Sequence, residues 1–298
     1  MPKAMLFDAS KCTACRGCQA ACKQWWELPT VTTKNTGSYE NPPDLGIETW
    51  LRMKFKEVKE DGQVRWVFTR HACMHCTQAV CVWVCPTGAR AYSADGYITI
   101  DQERCIGCGR CVMYCPFSIP RLGNSGLTKR VSAALGTPKS HTYQCIFCAD
   151  RVEKGMETSC SKACPPDAII FGERSELVAR GKARVEAIKS KYPKAYLYGE
   201  NELGGLHVMF VLTDSPEVHG LPVDPKIGTY PRFTAADFPV WYRNAIISER
   251  ITSLQDAKPE WYFQPELVFP EAKPKVTWGG GLKDWAAAAL VIVGLGGA

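Results

Sequence analysis

Short runs of apolar and β-branched residues, separated by polar turns, recur along most of the chain. They predict strands at 4–11, 66–69 and 97–101, with further apolar stretches at 89–92 and 168–171. Each run leads into, or follows, a group of closely spaced cysteines. The pattern therefore predicts a small strand–loop–helix–strand unit that repeats along the chain.

A turn-rich insertion at about 26–65 separates the first cysteine group from the second. Its C-terminal part predicts a β-hairpin. Residues 49–59 and 64–69 flank Asp61-Gly62, a dipeptide that is typical of tight hairpin turns.

The C-terminal part of the chain carries different patterns. Residues 173–192 predict an amphipathic helix, and 206–212 predict a buried strand. Residues 221–275 are rich in proline and aromatic residues, which indicates an extended arm or an irregular surface loop. The last 14 residues, 285–298, carry no charge. Since a spanning helix needs about 20 apolar residues, this segment is the start of a membrane helix, a helix half-sunk in a partner's membrane face, or a soluble packing helix.

All sixteen cysteines fall into four motifs of four. In chain order the motifs are Cys12, Cys15, Cys18 and Cys22; Cys73, Cys76, Cys81 and Cys85; Cys105, Cys108, Cys111 and Cys115; and Cys145, Cys148, Cys160 and Cys164. The first and third keep the spacing C-x2-C-x2-C-x3-C, while the middle gap holds four residues in the second motif and eleven in the fourth. This is the ligand run of bacterial two-cluster ferredoxins, and it predicts four [4Fe–4S] clusters.

Two other uses of cysteine fit the sequence less well. A disulfide framework suits a short secreted chain, whereas this chain has 298 residues, of which 46% are hydrophobic. Structural zinc uses pairs of Cys-x2-Cys knuckles or Cys and His together, not three cysteines at successive x2 gaps. In two-cluster ferredoxins the fourth cysteine of a motif ligates the other cluster, so the motifs are expected to pair.

The charge of the chain does not indicate nucleic-acid binding. The formal charge is +6, but sixteen thiolates and four oxidised cores of about +2 each would bring the total to about −2. No nucleic-acid-binding motif is present. Residues 1–11 contain no apolar signal segment, so we expect any export to depend on a partner that carries the signal.

The sequence offers no residue set for catalysis, and we expect a non-catalytic chain. The five histidines, His71, His75, His141, His207 and His219, form no spaced pair suited to haem. His75, inside the second motif, is a candidate to donate a hydrogen bond to a cluster sulfur. Arg104, Arg110 and Arg121 either raise a cluster potential by their charge or face solvent.

Several stretches resemble one group of proteins, the four-cluster electron-transfer (beta) subunits of molybdenum or tungsten bis-pterin oxidoreductases. Within that group the chain most resembles the iron–sulfur subunit of respiratory formate dehydrogenase. The stretches are NTGSYENPPDLG (35–46), CIGCGRCVMYCPFSIPRL (105–122), CIFCADRV (145–152), GGLHVMFVL (204–212), HGLPVDPKI (219–227) and GGGLKDWAAAALVIVG (279–294). The cysteine motifs alone are shared with partners of other reductases and of hydrogenases.

The resemblance implies an α+β fold with two tandem bacterial-ferredoxin-like domains, in which the first motif pairs with the fourth and the second with the third. It implies four cluster ligand sets. These are Cys12, Cys15, Cys18 and Cys164; Cys145, Cys148, Cys160 and Cys22; Cys73, Cys76, Cys81 and Cys115; and Cys105, Cys108, Cys111 and Cys85.

The domain boundaries follow from this pairing. One ferredoxin-like domain would comprise 1–70 with 125–172, and the other 71–124. A helix–strand extension (173–228), a proline- and aromatic-rich arm (229–278) and an apolar anchor-like helix (279–298) would complete the chain.

The resemblance also implies the partners. Electrons would pass from a large Mo/W-bis-pterin catalytic subunit through the four clusters towards a membrane cytochrome b and quinone, with membrane contact through the C-terminal helix. We expect a membrane-associated complex, on the periplasmic face by co-export rather than the cytoplasmic face. Two alternatives stay open. The same role could serve another molybdoenzyme or a hydrogenase, or the chain could be a free polyferredoxin.

Overall fold

The structure is a computed structural model that describes residues 1–60, 62–85, 87–123 and 141–226. The predicted arm at 229–278 and the apolar helix at 279–298 lie outside the described residues. Over the described part, the strands are β1 (Lys3–Asp8), β2 (Arg52–Glu60), β3 (Gln63–His71), β4 (Arg90–Tyr92), β5 (Ile98–Ile100), β6 (Arg121–Gly123), β7 (His141–Tyr143), β8 (Ile169–Glu173), β9 (Tyr196–Tyr198) and β10 (Val208–Leu212). The helices are α1 (Gly17–Trp25), α2 (Val80–Trp83), α3 (Arg110–Met113), α4 (Ala149–Val152), α5 (Ser159–Lys162) and α6 (Arg174–Ile188), with a 3₁₀ turn at Glu202–Gly204.

A four-stranded sheet of order β8-β1-β10-β9 joins the two ends of the described chain. Strand β1 runs parallel to β10, with Met5 opposite Val208, and antiparallel to β8. Every residue of β10 is buried. Because both faces of the strand are covered, its sequence is continuously apolar rather than alternating. The strands predicted at 4–11, 168–171 and 206–212 are confirmed, although β1 ends earlier, at Asp8.

The two faces of this sheet belong to two different cores. Ala4 and Leu6 of β1 pack with apolar residues of α6, the helix predicted at 173–192. Met5 and Phe7 belong instead to the larger core that contains most of the buried cysteines. Since successive side chains of a strand point to opposite faces, β1 connects the helical layer to the cysteine layer.

The predicted hairpin is also confirmed, as β2 and β3. Phe55 pairs with Phe68 and Glu57 with Trp66 across the two strands. Strand β2 begins at Arg52 rather than at the predicted residue 49, because Thr49 makes a separate bridge with Gly46. The hairpin thereby carries its last residues, including Arg70, into the cysteine core.

Short hairpins and single-turn helices surround the remaining cysteines. Strand β4 pairs with β5, and β6 pairs with β7, in agreement with the strands predicted at 89–92 and 97–101. Helices α1, α2, α3 and α5 each contain the third cysteine of a motif. None of the helices in the described ranges is both long and apolar enough to span a membrane.

Candidate iron–sulfur cluster sites

The four cysteine loops share one backbone feature. In each motif the residue before the second cysteine has a positive φ: Ala14 (53°), His75 (49°), Gly107 (66°) and Phe147 (63°). Three of these residues carry side chains, in a region that is sterically unfavourable for them. Such strain, about 1–3 kcal/mol per residue, is typical of functional sites. The left-handed residue curls the loop so that consecutive cysteines converge.

The curled loops also aim backbone N–H groups at the sulfurs. The donors and their sulfur acceptors, with N–S distances, are Ala14 to Cys12 (3.4 Å), Gly17 to Cys15 (3.4 Å), His75 to Cys73 (3.4 Å), Ser159 to Cys148 (3.5 Å) and Ile169 to Cys164 (3.4 Å). Successive backbone N–H groups in turns of this kind form concave anion sites, which include many iron–sulfur sites.

Cys12, Cys15 and Cys18 of the first motif line one cavity together with Cys164, the last cysteine of the fourth. Burial raises the pKa of Cys12 to about 11, although a hydrogen bond from the Ala14 backbone opposes this shift. The thiolates of Cys164 and Cys15 add to the rise. Burial also raises the pKa of Cys18 to about 12, with Cys164 again among its neighbours.

The converse arrangement holds for the last cysteine of the first motif. Burial raises the pKa of Cys22 well above its ordinary value, and the thiolates that add to this effect are Cys145, Cys160 and Cys148. All three belong to the fourth motif. Cys22, the last cysteine of the first motif, therefore has thiolate neighbours from the fourth motif.

Cysteines of the second and third motifs are also thiolate neighbours of one another. After burial, the neighbours that raise the pKa of Cys76 are Cys73, Cys115 and Cys81. Burial raises the pKa of Cys108, which has Cys111 and Cys85 as its thiolate neighbours. Cys115 thus lies among cysteines of the second motif, and Cys85 among cysteines of the third.

Electrostatic neighbours link the motifs in a series. Burial and then the thiolate of Cys160 raise the pKa of Cys18. Burial and then the thiolates of Cys81 and Cys145 raise the pKa of Cys73. The first motif is thereby linked to the fourth, and the fourth to the second.

The series continues to the last group and reaches the surface at both ends. Burial raises the pKa of Cys81 to about 12, against the nearby Arg90 charge, and Cys115 and Cys111 add to this effect. Cys15 in the first group and Cys108 in the last are the two exposed cysteines of the chain.

The His75 side chain is buried, and its two ring nitrogens differ in their hydrogen bonds. Nδ1 accepts a hydrogen bond from Ile98 N–H at 3.0 Å, and the ring packs against Phe147 at 4.9 Å between centroids. Since Nδ1 is an acceptor, Nε2 carries the proton, and Nε2 has no hydrogen-bond partner among the described residues. The backbone N–H of His75 also donates to Cys73 Sγ. A hydrogen bond from the ring to a cluster sulfur stays a prediction.

Of the three arginines predicted to tune a cluster, Arg110 lies near Cys108, where its backbone N–H and its charge oppose the burial that raises the pKa of that thiol. The other two have carboxylate partners. Arg104 forms an ion pair with Asp101 at 3.2 Å. Arg121 donates to Asp44 and to the carbonyl of Leu45, and so ties the third motif to the insertion.

Two buried arginines, Arg70 and Arg90, lie beside the sulfurs but had no signal in the sequence. Arg70 is the penultimate residue of β3, and Arg90 is the first residue of β4. Only the tertiary structure brings their side chains to the cysteines.

The donor set fits iron–sulfur clusters. Each motif supplies four cysteines. The backbone N–H groups that donate to their sulfurs suit the negative charge of a thiolate-bound cluster. Iron coordination ionises thiols, including those whose pKa burial raises, such as Cys12, Cys18 and Cys81. Within the described residues, no three Cys, His, Asp or Glu side chains converge on one point as the ligands of a single metal ion would.

Fold and site together define a ferredoxin-type iron–sulfur protein. The sequence pattern of the family described as a 4Fe-4S dicluster domain matches residues 64–174, and that of a 4Fe-4S binding domain matches residues 9–25. The protein thus contains two 4Fe–4S ferredoxin-type domains of mixed helix and strand content.

Known relatives narrow the class. The nitrate-inducible formate dehydrogenase iron–sulfur subunit of Escherichia coli (strain K12) is 39% identical over 231 residues, which cover 76% of this chain and 74% of the relative. The formate dehydrogenase iron–sulfur subunit of Haemophilus influenzae is 38% identical, over 75% of this chain and 70% of the relative. Formate dehydrogenase 2 subunit beta (cytochrome c-553) of Nitratidesulfovibrio vulgaris is 35% identical, over 73% and 96% respectively. The chain belongs to the family of formate dehydrogenase iron–sulfur subunits.

Proposed function

We propose that the protein carries electrons in a formate dehydrogenase complex, from a Mo/W-bis-pterin catalytic subunit through four [4Fe–4S] clusters towards a membrane cytochrome b and quinone. When bound, each cluster supplies a one-electron carrier. The chain's own contribution is to hold the clusters in sequence, keep water from them and set their electrostatic surroundings.

The proposed ligand sets follow the spatial groups of sulfurs. The sets are Cys12, Cys15, Cys18 and Cys164; Cys145, Cys148, Cys160 and Cys22; Cys73, Cys76, Cys81 and Cys115; and Cys105, Cys108, Cys111 and Cys85. They are supported by the neighbours of Cys12, Cys22, Cys76 and Cys108.

The observation that carries the proposal is the continuity of the series. Cys18, Cys73, Cys145 and Cys160 share one buried cluster, Cys81 and Cys111 share a second, and Cys76 packs against both. Both ends open to the surface, at Cys15 and Cys108. A carrier that only stored electrons would need one exposed site, whereas a chain with two exposed ends suits entry at one end and exit at the other.

The two ferredoxin-like domains are proposed to comprise 1–70 with 125–172 and 71–124, each holding one pair of clusters. The extension at 173–228 supports the first domain, since β10 completes the sheet that begins with β1. We further propose that the complex is membrane-associated, with contact through 279–298 and the periplasmic face as its location.

Two measurements test the proposal. Iron analysis of the purified complex should give about 16 iron atoms in this chain, and zinc or a markedly lower count would contradict it. The same complex should reduce an artificial dye with formate. Turnover of another substrate without formate oxidation would assign the chain to another oxidoreductase. A stable monomer without a catalytic subunit in gel filtration would indicate a free polyferredoxin.

A further inference from the structure

Arg70 is a charged side chain without an ordinary partner. It is 0% exposed, and its Nε, Nη1 and Nη2 atoms have no hydrogen-bond partner among the described residues. Burial alone would lower the pKa of Arg70, but the nearby thiolates of Cys160, Cys145, Cys18 and Cys22 raise it. In the proposed ligand sets, Cys18 belongs to one cluster and the other three cysteines to its neighbour.

Arg90 has the corresponding position in the other pair of motifs. It is 2% exposed, and only its Nη2 makes a hydrogen bond to an oxygen, to Thr142 Oγ1 at 3.0 Å. Its Nε and Nη1 have no hydrogen-bond partner in the described part of the chain. Burial would lower the pKa of Arg90, and the thiolates of Cys111, Cys81 and Cys73 raise it. Cys111 belongs to one proposed set, and the other two to its neighbour.

A third buried arginine shows the usual arrangement. Arg52, 7% exposed, forms ion pairs with Glu40 and Asp44. Over the described residues, no carboxylate lies within 4.0 Å of Arg70 or Arg90. An unpaired guanidinium is costly to bury, so these two side chains require another source of negative charge.

We propose that Arg70 and Arg90 are buried cations, each shared by the two clusters of one pair, and that each raises the reduction potentials of both of its clusters. This inference rests on the proposed ligand sets. The physical reason is that a four-thiolate cluster is anionic and reduction adds a further negative charge. A fixed positive charge in a water-poor interior therefore stabilises the reduced form more than the oxidised form.

A crossed set of variants tests the proposal in the purified complex. Arg70→Gln and Arg90→Gln each remove one charge, and EPR-monitored redox titration reports the midpoint potentials. In each variant, two of the four clusters should have a ratio of reduced to oxidised form that is about tenfold lower at a fixed applied potential. This corresponds to a midpoint potential about 59 mV lower for a one-electron couple. A different two should move in each variant, and all four should move in the double variant.

Controls separate charge from shape. Arg70→Lys and Arg90→Lys keep the charge, and we expect full iron content with potentials close to the unmodified protein. Arg52→Gln removes an arginine that carboxylates already match, so it should leave all four potentials in place.

Several results would overturn the inference. Midpoint potentials that stay unchanged in a Gln variant with full iron content would contradict it. A Lys variant whose midpoint potentials fall as far as those of the Gln variant would also contradict it. If a Gln variant assembles incompletely, the Lys variant decides: full iron and unchanged potentials support the charge role, and iron loss there contradicts it. Fewer than four clusters in the unmodified protein would instead contradict the proposed function.

Discussion

The crosswise arrangement of cysteines predicts which pairs of substitutions damage the same cluster. Removing a ligand by Cys→Ala should cost the cluster that the residue holds. In the proposed sets, Cys12 and Cys164 serve one cluster, although they lie at opposite ends of the cysteine-bearing region. Cys145 and Cys164 serve different clusters, although they belong to the same motif. Motif membership and spatial grouping therefore predict opposite outcomes.

The expected counts follow from the structure. Each single substitution should leave about three of the four [4Fe–4S] clusters. The double variant Cys12→Ala/Cys164→Ala should also leave about three, because both ligands belong to one cluster. The double variant Cys145→Ala/Cys164→Ala should leave about two. Such non-additivity is expected only for residues that act on one unit.

The assay is a spin count of the dithionite-reduced complex by EPR, combined with iron analysis. Cys12→Ala/Cys22→Ala serves as a matched control, since its two cysteines share a motif but not a proposed cluster, and it should leave about two clusters. The reasoning is refuted if Cys12→Ala/Cys22→Ala leaves three clusters and Cys12→Ala/Cys164→Ala leaves two, which is the pattern of self-contained motifs.

Two predictions concern stability. Burial lowers the pKa of His219 from 6.5 to about 4, so the neutral imidazole contributes fully to the free energy of unfolding above about pH 6.5, and this contribution falls by about 3 kcal/mol as the pH drops to about 4. Thermal unfolding across this range should show a smaller loss of stability at low pH in His219→Gln than in the unmodified protein, and an equal loss would contradict this prediction. Gly205→Ala should cost about 1–3 kcal/mol, since Gly205 has φ +101° and a Cβ there would lie 2.3 Å from Arg174 Nη2. Gly155→Ala, at φ +74° in open space, should lower the unfolding temperature less, and a reversed order would argue against the steric account.

Local signals in the sequence were sufficient for the elements that depend on local patterns. The Asp61-Gly62 dipeptide predicted the hairpin, and the spacing of Leu177 and Val185 predicted the buried face of α6. The apolar run at 206–212 predicted a buried strand.

Features that depend on residues distant in sequence could not be predicted in this way. The parallel pairing of β1 with β10 joins residues about two hundred positions apart, and no local pattern encodes it. Arg70 and Arg90 resemble ordinary strand arginines until the fold brings them to the cysteines. The hydrogen bond from the backbone N–H of His75 to Cys73 Sγ was not predicted either, because it depends on the left-handed backbone at His75.

The central claim is that this chain conducts electrons released from formate. The most direct measurement is EPR of the anaerobic complex after addition of formate, compared with the same complex reduced by dithionite. We predict that formate alone produces the signals of reduced [4Fe–4S] clusters in this chain. Clusters that dithionite reduces but formate leaves oxidised would contradict the claim.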